Sequence, residues 1–361
     1  MKALVLTEYK HLEYKDVPDP TIGPNEVLIR VKACAICGSD VHGYDGSSGR
    51  RIPPIIMGHE AAGVIEAAGA DVKSFGTGDR VTFDSTLYCR NCGPCTNGLI
   101  NLCTNRRVFG VSCEDYKKDG AMAEYIVVPE YILYRLADNI SFEEASVVEP
   151  LTVAMHAINR TRLFPGDSVI VIGCGTIGQL VIKILNIMGC GSITAVDVDS
   201  GKLQMALQNG ADSIINSNNE DAVVRALELT AGKGMDAAFE AVGISDTIGI
   251  AIGSVKKGGE LTLLGNIQKN VNFPLQRVVT NEIRINASCA SAGEYAACLK
   301  LIETGKISLK EIISKTVPLS EGGEWFEKLH QGLPGVIKVV LTQTHHTAFS
   351  RKCSTPWFKP G

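Results

Sequence analysis

Residues 168–188 read SVIVIGCGTIGQLVIKILNIM, and this stretch decides the fold of the chain. The β-branched run at 168–172 predicts a strand, and the apolar run at 179–188 predicts a helix. Between them, Gly173, Gly175 and Gly178 form a G-x-G-x-x-G pattern. Glycines at this spacing allow a tight turn and let the backbone reach a pyrophosphate at the helix N-terminus. The stretch predicts a dinucleotide-binding unit, with a glycine-rich turn in an ordinary α/β unit as the alternative.

An acidic residue follows where dinucleotide binding requires one. A second short strand is predicted at 192–196 and ends at Asp197, about 20 residues beyond the glycines, where a carboxylate accepts hydrogen bonds from the adenosine ribose. Asp199 adds a second negative charge nearby. Both carboxylates would repel a 2′-phosphate, so the sequence predicts NAD rather than NADP as cofactor.

The pattern around this unit divides the chain. Strands and helices alternate from 151 to 286, which predicts an α/β region with a Rossmann, doubly wound parallel sheet. Residues 1–150 contain short β patterns separated by Gly and Pro turns, which predicts a β-rich domain. We expect 287–343 to return to that domain, with the active site in the cleft between the two. The tail at 344–361 shows no period, and we expect it to be disordered or an addition to the natural chain.

Three short segments carry side chains that suit one metal ion. Cys37, His59 and Glu149 offer a thiolate, an imidazole and a carboxylate, and Glu60 lies beside the histidine. Three protein ligands leave one position of a zinc ion open to a substrate oxygen. Each residue alone is more often a packing residue or a hydrogen-bonding group, so the prediction of a catalytic zinc depends on the set.

Four cysteines predict a second metal site. Cys89, Cys92, Cys95 and Cys103 lie in a loop-like stretch with little apolar periodicity. Four thiolates at this spacing suit a closed, structural zinc. Disulfides are the less favoured alternative because the first 16 residues carry six charged side chains and no apolar signal segment. An iron–sulfur cluster remains an alternative to zinc, because cysteine spacing does not determine the metal.

Composition excludes several classes of protein. The chain has 361 residues, of which 45% are hydrophobic, enough for two domains with substantial cores. A formal net charge of −4 without a long basic run argues against nucleic-acid binding. The most apolar stretch is interrupted by glycines and by Lys183, which argues against a membrane span. Twelve cysteines without a secretory signal predict a reducing compartment, the cytoplasm.

Together these motifs resemble those of the zinc-containing medium-chain alcohol dehydrogenase family, in its branch of polyol and sugar-alcohol-phosphate dehydrogenases. The resemblance runs from Met1 to about 343 and depends on Gly58-His59-Glu60 with Ala61-Ala62-Gly63, Gly78-Asp79-Arg80-Val81, the four cysteines, Val148-Glu149-Pro150-Leu151, and the glycines at 173–178. It implies a GroES-like catalytic domain at 1–150 and 287–343 and a Rossmann NAD-binding domain at 151–286.

The resemblance also implies roles for the metal ligands. Simple alcohol dehydrogenases carry a cysteine where Glu149 stands here, so the glutamate argues against primary alcohols as substrates. Cys37 and His59 are expected to be direct ligands. Glu60 is expected to lie close to the metal and to exchange with Glu149 or water during turnover.

The implied reaction is hydride transfer from a secondary hydroxyl to the nicotinamide, with a proton relay. By the resemblance, Ser39 accepts the hydroxyl proton and passes it through the cofactor ribose to His42 at the solvent edge. A capping serine and a surface histidine are the alternatives for these two residues. Asp40 is expected to orient His59, because a zinc-bound imidazole usually donates its other N–H to a carboxylate.

The same resemblance assigns the cofactor contacts. Gly173, Gly175 and Gly178 shape the turn, Ile177 contacts the pyrophosphate through its backbone, Asp197 binds the ribose, and Lys202 lies nearby. Leu264 and Gly265 follow a strand and are expected to border the nicotinamide. A strand end and its turn explain this last pair equally well.

The substrate is predicted only as a class, a polyol or polyol phosphate of the sorbitol or galactitol-1-phosphate type. Arg50 or Arg51 is a candidate for binding a substrate phosphate, although an exposed basic pair is more often simply solvated. Threonine or 2,3-butanediol dehydrogenase is an alternative within the family. A catalytically silent NAD-binding protein is the alternative of another class. We expect a homodimer or homotetramer.

Overall fold

The computed structural model describes residues 1–343, so the expectation for the tail at 344–361 lies outside the described residues. The strands in the described part are β1 (Lys2–Glu8), β2 (His11–Asp16), β3 (Glu26–Ala35), β4 (Ile55–Ile56), β5 (Glu60–Ala68), β6 (Arg80–Phe83), β7 (Thr86–Leu87), β8 (Arg107–Val108), β9 (Val111–Ser112), β10 (Lys117–Lys118), β11 (Tyr125–Pro129), β12 (Leu133–Arg135), β13 (Ser168–Ile172), β14 (Ser192–Asp197), β15 (Ser213–Asn216), β16 (Met235–Glu240), β17 (Val255–Leu263), β18 (Arg284–Ala287), β19 (Ile313–Pro318) and β20 (Lys338–Thr342).

The helices connect and cover these strands. They are α1 (Gly38–Tyr44), α2 (Gly93–Thr96), α3 (Phe142–Ser146), α4 (Val148–Asn159), α5 (Thr176–Met188), α6 (Ser200–Gln208), α7 (Ala222–Leu229), α8 (Ser245–Ser254), α9 (Leu275–Thr280), α10 (Tyr295–Glu303) and α11 (Gly322–His330), with short 3₁₀ helices at Ile100–Leu102, Glu130–Ile132, Lys310–Ile312 and Leu319–Glu321. Within 1–343, no helix combines the length and apolar character that crossing a membrane requires.

The β-rich region is built around a seven-stranded sheet. The strand order is β12-β6-β5-β3-β20-β19, and β11 also pairs with β3. The last two strands of the described chain, β19 and β20, lie in this sheet. β3 is therefore central, with β5 on one side and β20 on the other. The loops that carry the metal ligands leave the ends of these strands.

The second region is a six-stranded parallel sheet of order β15-β14-β13-β16-β17-β18. Side chains of β13 alternate between its two faces: Val169 and Val171 pack in the core that contains α4 and α5, whereas Ile170 and Ile172 pack in the core that contains α7 and α8. Helices on both faces explain why β13 is an uninterrupted apolar run. The predicted α/β fold, a doubly wound sheet beside a β-rich domain, is confirmed.

The sequence pattern does not predict β15 and β18. β15 has only four residues, and three of them are only partly buried. β18 is an edge strand, and none of its four residues is fully buried. Short strands at a sheet edge carry too few alternating apolar residues to stand out in a sequence.

Helix α4 joins the two regions. It packs against α5 and α10 and also contacts β5. Its first turn carries Glu149, which is thereby brought to the strand ends that carry the other proposed metal ligands.

Candidate active site and metal centres

Three of the four predicted catalytic ligands converge on one point. Cys37 is the N-cap of α1, just after β3, while His59 immediately precedes β5 and Glu60 is the first residue of β5. Ala35 of β3 pairs directly with Glu60 of β5, which brings the two segments together. The Sγ, imidazole nitrogen and carboxylate oxygen of these ligands all lie within 4.8 Å of one another. A thiolate, an imidazole and a carboxylate at this separation fit a zinc ion.

Asp40 holds two of these ligands in place. Its Oδ2 accepts a hydrogen bond of 3.3 Å from the backbone N–H of Cys37, and its Oδ1 lies 3.4 Å from Nδ1 of His59. Arg51 forms an ion pair of 2.8 Å with the same Oδ1. Burial opposes ionisation of this carboxyl, but His59 and Arg51 hold the pKa of Asp40 well below its usual range. The contact with Nδ1 leaves Nε2 as the metal-binding nitrogen of His59.

Glu60 has a buried counter-ion that the sequence analysis missed. Nζ of Lys338 lies 3.0 and 2.8 Å from the two carboxylate oxygens of Glu60 and 3.2 Å from the carbonyl oxygen of Ile36. Burial disfavours the ammonium, yet the carboxylate of Glu60 raises the pKa of Lys338. A lysine inside the apolar run of β20 was the available signal, because a charge buried in a central strand requires a partner.

Glu149 lies near this group but outside the three mutually close ligands. It is partly buried and lines the same pocket as His59. Burial raises the pKa of Glu149 to about 7, although His59 works in the opposite direction. The arrangement thus distinguishes Glu60, held by Lys338 against Cys37 and His59, from Glu149, which faces the pocket.

The four-cysteine site is assembled as predicted. The sulfur atoms of Cys89, Cys92, Cys95 and Cys103 lie within 4.8 Å of one another. Sγ of Cys103 accepts hydrogen bonds of 3.3 Å from the backbone N–H groups of Cys89 and Asn105. Backbone N–H donors, chiefly that of Cys95, lower the pKa of Cys92 to about 6. Such donors stabilise thiolates, and four of them form a closed zinc site with no vacant position.

The proposed relay residues both lie on α1, three positions apart, and both are exposed. Ser39 lines the pocket, and its hydroxyl oxygen lies 3.5 Å from Nη2 of Arg51. The backbone carbonyl of His42 accepts hydrogen bonds from Ser47 and Ser48, which fixes the turn after the helix. The structure therefore places Ser39 beside the metal ligands and His42 one turn further along the helix, toward solvent.

The glycine turn leaves room for a pyrophosphate. A Cβ at Gly178 would lie 1.9 Å from the carbonyl oxygen of Gly173, so only glycine allows α5 to start this close to β13. A Cβ at Gly175 would meet no atom within 4 Å, so the turn is open on the side where a ligand is expected. Ile177 lies in the first turn of α5. A helix N-terminus beside open space is a ready site for an anionic phosphate group.

The two acidic residues at the end of β14 bind different backbone groups. Asp197 accepts hydrogen bonds from the backbone N–H groups of Cys174 at 2.7 Å and Asp199 at 2.9 Å, which anchors it against the glycine turn. Asp199 is the N-cap of α6, where Oδ1 accepts from the N–H groups of Gly201 and Lys202. Each oxygen of Asp197 can accept a further hydrogen bond, whereas Asp199 caps α6.

Leu264 and Gly265 follow the end of β17, and both backbone N–H groups donate to the carbonyl of Glu240. A Cβ at Gly265 would lie 2.2 Å from the backbone nitrogen of Gly243. Close packing against the backbone of Gly243 therefore requires a glycine here, and this packing is compatible both with a strand end and its turn and with a position beside the nicotinamide.

A pocket of about 500 Å³ opens beside the metal ligands. Its wall includes Ser39, His59, Glu149, Arg50 and Arg51. The two arginines do not form an exposed pair, because Arg51 is 4% exposed and its guanidinium is bound to Asp40. The hypothesis that Arg51 is free to bind a substrate phosphate is therefore wrong, whereas Arg50 is exposed at the pocket.

Asp84 provides a measurable pH dependence of stability. It is 2% exposed, its Oδ1 accepts from the N–H of Thr86, and its Oδ2 has no hydrogen-bond partner among the described residues. Burial raises the pKa of Asp84 to about 6. The folded state therefore binds this proton more tightly than the unfolded state, and stability falls as pH rises from about 4 through 6.

We expect Asp84→Asn, which keeps the acceptor for Thr86, to remove this loss. We compare the free energy of unfolding of the variant with that of wild type at each pH. The advantage of the variant should be about 1–2 kcal/mol larger at pH 8 than at pH 5. Urea denaturation at the two pH values measures it. Asp71→Asn, at an exposed position, is the control. A difference that stays constant with pH would show that Asp84 is already ionised at pH 5.

Family models match both regions of the chain. The alcohol dehydrogenase GroES-like domain matches residues 23–138, and the zinc-binding dehydrogenase domain matches residues 176–304. The second match begins inside the glycine turn, after Gly173 and Gly175, and the first contains both groups of metal-ligand candidates except Glu149.

Curated relatives match most of the chain. L-idonate 5-dehydrogenase of Vitis vinifera is 33% identical over 309 residues, 84% of this chain and 83% of its own length. Sorbitol dehydrogenase of Bacillus subtilis is 32% identical over 347 residues, 94% of this chain and 97% of its own length.

Solved structures share the whole fold. Galactitol-1-phosphate dehydrogenase of Escherichia coli superposes with a TM-score of 0.88 at 26% identity, covering 95% of this chain and 100% of that one. A zinc-binding dehydrogenase of Sinorhizobium meliloti 1021 bound to NADP gives 0.87 at 26%, covering 94% and 98%. An Escherichia coli alcohol dehydrogenase complexed with NADH gives 0.87 at 26%, covering 95% and 99%. On these matches and on its two metal sites, the chain belongs to the zinc-containing medium-chain dehydrogenase family, and its named relatives include polyol dehydrogenases.

Proposed function

We propose that the protein oxidises a secondary hydroxyl of a polyol or polyol phosphate to the ketone, with zinc and NAD. The observation that carries the proposal is the position of the metal ligands. Cys37, His59 and Glu60 lie within 4.8 Å of one another, and His59 also lines a pocket of about 500 Å³ with Glu149. A pocket of this size accommodates a five- or six-carbon chain. The relatives named for sorbitol and galactitol 1-phosphate support the same class.

The protein's own residues would hold and deprotonate the substrate. Cys37, His59 and Glu60 would bind the metal, with Glu149 beside the substrate as an exchangeable ligand. Bound zinc supplies Lewis acidity that lowers the pKa of a hydroxyl, and bound nicotinamide accepts the hydride. Ser39 lines the pocket and would accept the hydroxyl proton. His42 is exposed on the same helix and would release it to solvent.

For the cofactor we propose NAD over NADP. Asp197 is fixed against the glycine turn by the N–H of Cys174, where the ribose of a dinucleotide is expected. Its negative charge would repel a 2′-phosphate. Gly173, Gly175, Ile177 and Gly178 would form the pyrophosphate turn. Lys202, Leu264 and Gly265 would lie along the rest of the dinucleotide.

A panel of secondary alcohols tests the proposal. Initial rates would be measured with NAD and with NADP for sorbitol, xylitol, galactitol 1-phosphate, threonine and 2,3-butanediol, with ethanol as the primary-alcohol control. We expect kcat/KM to be highest for a polyol or its phosphate, at least tenfold above ethanol, and higher with NAD than with NADP. The highest value for threonine or butanediol would reassign the substrate. Tight NAD binding without turnover of any substrate would favour a silent NAD-binding protein.

We further propose that two copies associate through β18. This strand is the edge of the parallel sheet, and its described pairing is with β17 alone. Nearby, Leu275 and Val279 of α9 are 63% and 65% exposed. An unpaired strand edge beside exposed apolar side chains is suited to pairing with a second copy.

We therefore expect a dimer in sedimentation velocity, which Val279→Asp should weaken. Val224→Asp on α7, where the valine is 52% exposed, is the matched control and should leave the sedimentation coefficient unchanged. A monomeric wild type, or equal effects of the two variants, would rule out this interface.

We place the protein in the cytoplasm. The eleven cysteines among residues 1–343 form no disulfide, and four of them cluster as metal ligands. Free thiols and thiolate metal ligands in this number favour a reducing compartment.

A further inference from the structure

The pocket beside the metal ligands has an unusual charge. Arg50, Arg51 and Arg106 line it, against two acidic residues, Asp115 and Glu149. A neutral polyol requires hydrogen-bonding groups but no net charge in its pocket. The role of each arginine in this wall therefore needs an explanation of its own.

Three of these charged side chains already have a partner or a position that explains them. Arg51 is bound to Asp40 at 2.8 Å, and Glu149 lies beside the metal ligands. Asp115 accepts a hydrogen bond of 3.1 Å from Sγ of Cys113. Among residues 1–343, neither Arg50 nor Arg106 forms an ion pair, so these two cations are left facing the pocket.

The backbone of Arg106 is anchored, but its guanidinium has few hydrogen-bond partners. Its backbone N–H donates to the carbonyl of Cys103, so the four-cysteine site fixes its position. Its Nη1 makes only a long contact, 3.7 Å, with Sγ of Cys289, and its buried Nε has no partner among the described residues. The carboxylate of Asp84 is close enough to interact electrostatically but forms no ion pair with it. A partly buried guanidinium with unused N–H donors is a site for an oxyanion.

Arg50 is brought to the same pocket from a different part of the chain. The N–H of Ser112 donates to the carbonyl of Arg50 at 3.2 Å, and the N–H of Ile52 donates to the carbonyl of Ser112 at 3.0 Å. This short parallel contact ties the loop at 50–52 to β9, which belongs to the same wall as Arg106.

We propose that Arg106, with Arg50, binds an anionic group at the end of the substrate away from the reacting hydroxyl, so that the preferred substrate is a sugar acid or a polyol phosphate. The proposal rests on the proposed function, because it names the substrate class for the same pocket. Carboxylate and phosphate each present a pair of anionic oxygens that can accept hydrogen bonds from two N–H donors of one guanidinium. Arg106 is thus a specificity-determining residue.

Matched substrates test this directly. Sorbitol, gluconate and sorbitol 6-phosphate share one carbon configuration, and galactitol, galactonate and galactitol 1-phosphate share another. We expect wild-type kcat/KM to be at least tenfold higher for an anionic member than for the neutral polyol of the same set. The carboxylate and phosphate members decide which oxyanion is bound. Equal or higher kcat/KM for the neutral polyols in both sets would overturn the proposal.

Substitution of the arginines separates this role from a structural one. Arg106→Met should lower kcat/KM for the anionic substrate by about 30-fold, mainly through KM, because a charge-assisted hydrogen bond is lost. The loss for the neutral polyol should stay below about threefold. Arg107→Met is the control, since it removes the same charge one residue away from a side chain that is exposed and outside the pocket wall. Equal losses on charged and neutral substrates would show that Arg106 only supports the fold.

Two further measurements keep the proposal testable if Arg106→Met does not fold or if turnover is absent. Arg50→Met changes an exposed side chain and should also reduce the preference for the anion, by about three- to tenfold, and no change would remove Arg50 from the site. Calorimetric binding of gluconate and sorbitol 6-phosphate to the NAD-loaded protein is independent of catalysis. Binding that Arg106→Lys weakens, without oxidation of any polyol, would support the anion site and overturn the proposed function. Oxidation of polyols, combined with equal effects of the arginine substitutions on charged and neutral substrates, would support the proposed function and overturn the anion site.

Discussion

Cys37→Ser should abolish the oxidation of every substrate in the panel, with kcat reduced by at least about 1,000-fold. The expected reason is loss of the catalytic zinc, because a serine hydroxyl is a far weaker zinc ligand than a thiolate. Cys37 lies within 4.8 Å of His59 and Glu60, and among residues 1–343 this cluster of ligands contains no second sulfur. Metal analysis should fall from two zinc ions per chain to one, since the four-cysteine site does not involve Cys37.

The control for this prediction is Cys190→Ser, a partly buried thiol outside both groups of metal ligands. It should keep two zinc ions and full activity. The unfolding transition of Cys37→Ser should remain cooperative, which separates loss of the metal from loss of the fold. Two zinc ions retained together with normal turnover in Cys37→Ser would contradict the assignment of the catalytic centre.

Lys338→Met should have the largest effect on stability. Lys338 and Glu60 are 2% and 0% exposed at their side chains and form an ion pair of 2.8 Å. Removing the lysine leaves a buried carboxylate without its counter-ion, which typically costs about 3–5 kcal/mol. Urea denaturation of the zinc-free protein at pH 8 measures this loss. With zinc present the loss should be smaller, because the metal then interacts with the released carboxylate.

Two variants give this prediction its controls. Glu60→Gln combined with Lys338→Met removes both charges and should recover most of the lost stability, because no buried charge is left unpaired. Lys183→Met breaks a pair of 3.4 Å with Glu311, whose side chain is 55% exposed, and should cost less than about 1 kcal/mol. A Lys338→Met variant as stable as Lys183→Met would show that water reaches Glu60.

The features that the sequence predicts are those that depend on local pattern. The strand and helix around Gly173–Gly178 follow from apolar periodicity and glycine spacing. The predicted strand at 168–172 has the same bounds in the structure. The four cysteines lie close in sequence, and their convergence requires only a short loop. Cys37 and His59 were predicted from motifs and not from periodicity, because two separated segments meet only through the pairing of β3 with β5.

The features that the sequence does not predict depend on contacts between distant segments. Arg51 reads as an exposed basic residue, but α1 places Asp40 against it and buries both. In the sequence, Lys338 is a single charged residue in an apolar stretch. The strand order of the folded sheet brings it against Glu60. Arg106 has no local signal at all, because its environment is created by the four-cysteine loop and by the segment of Cys289. Long-range electrostatic pairs of this kind leave no period in the sequence.

The ion pair between Glu60 and Lys338 also constrains how the chain can be made. The two residues are separated by 278 positions. On a ribosome that adds about 5–20 residues per second, Glu60 is translated roughly 15–60 s before its partner. During that interval the N-terminal domain lacks β20, and the carboxylate beside Cys37 and His59 has no ammonium group to balance it. The nascent domain therefore completes its charge balance only after Lys338 has been translated, so the parallel sheet is synthesised before the catalytic centre can mature.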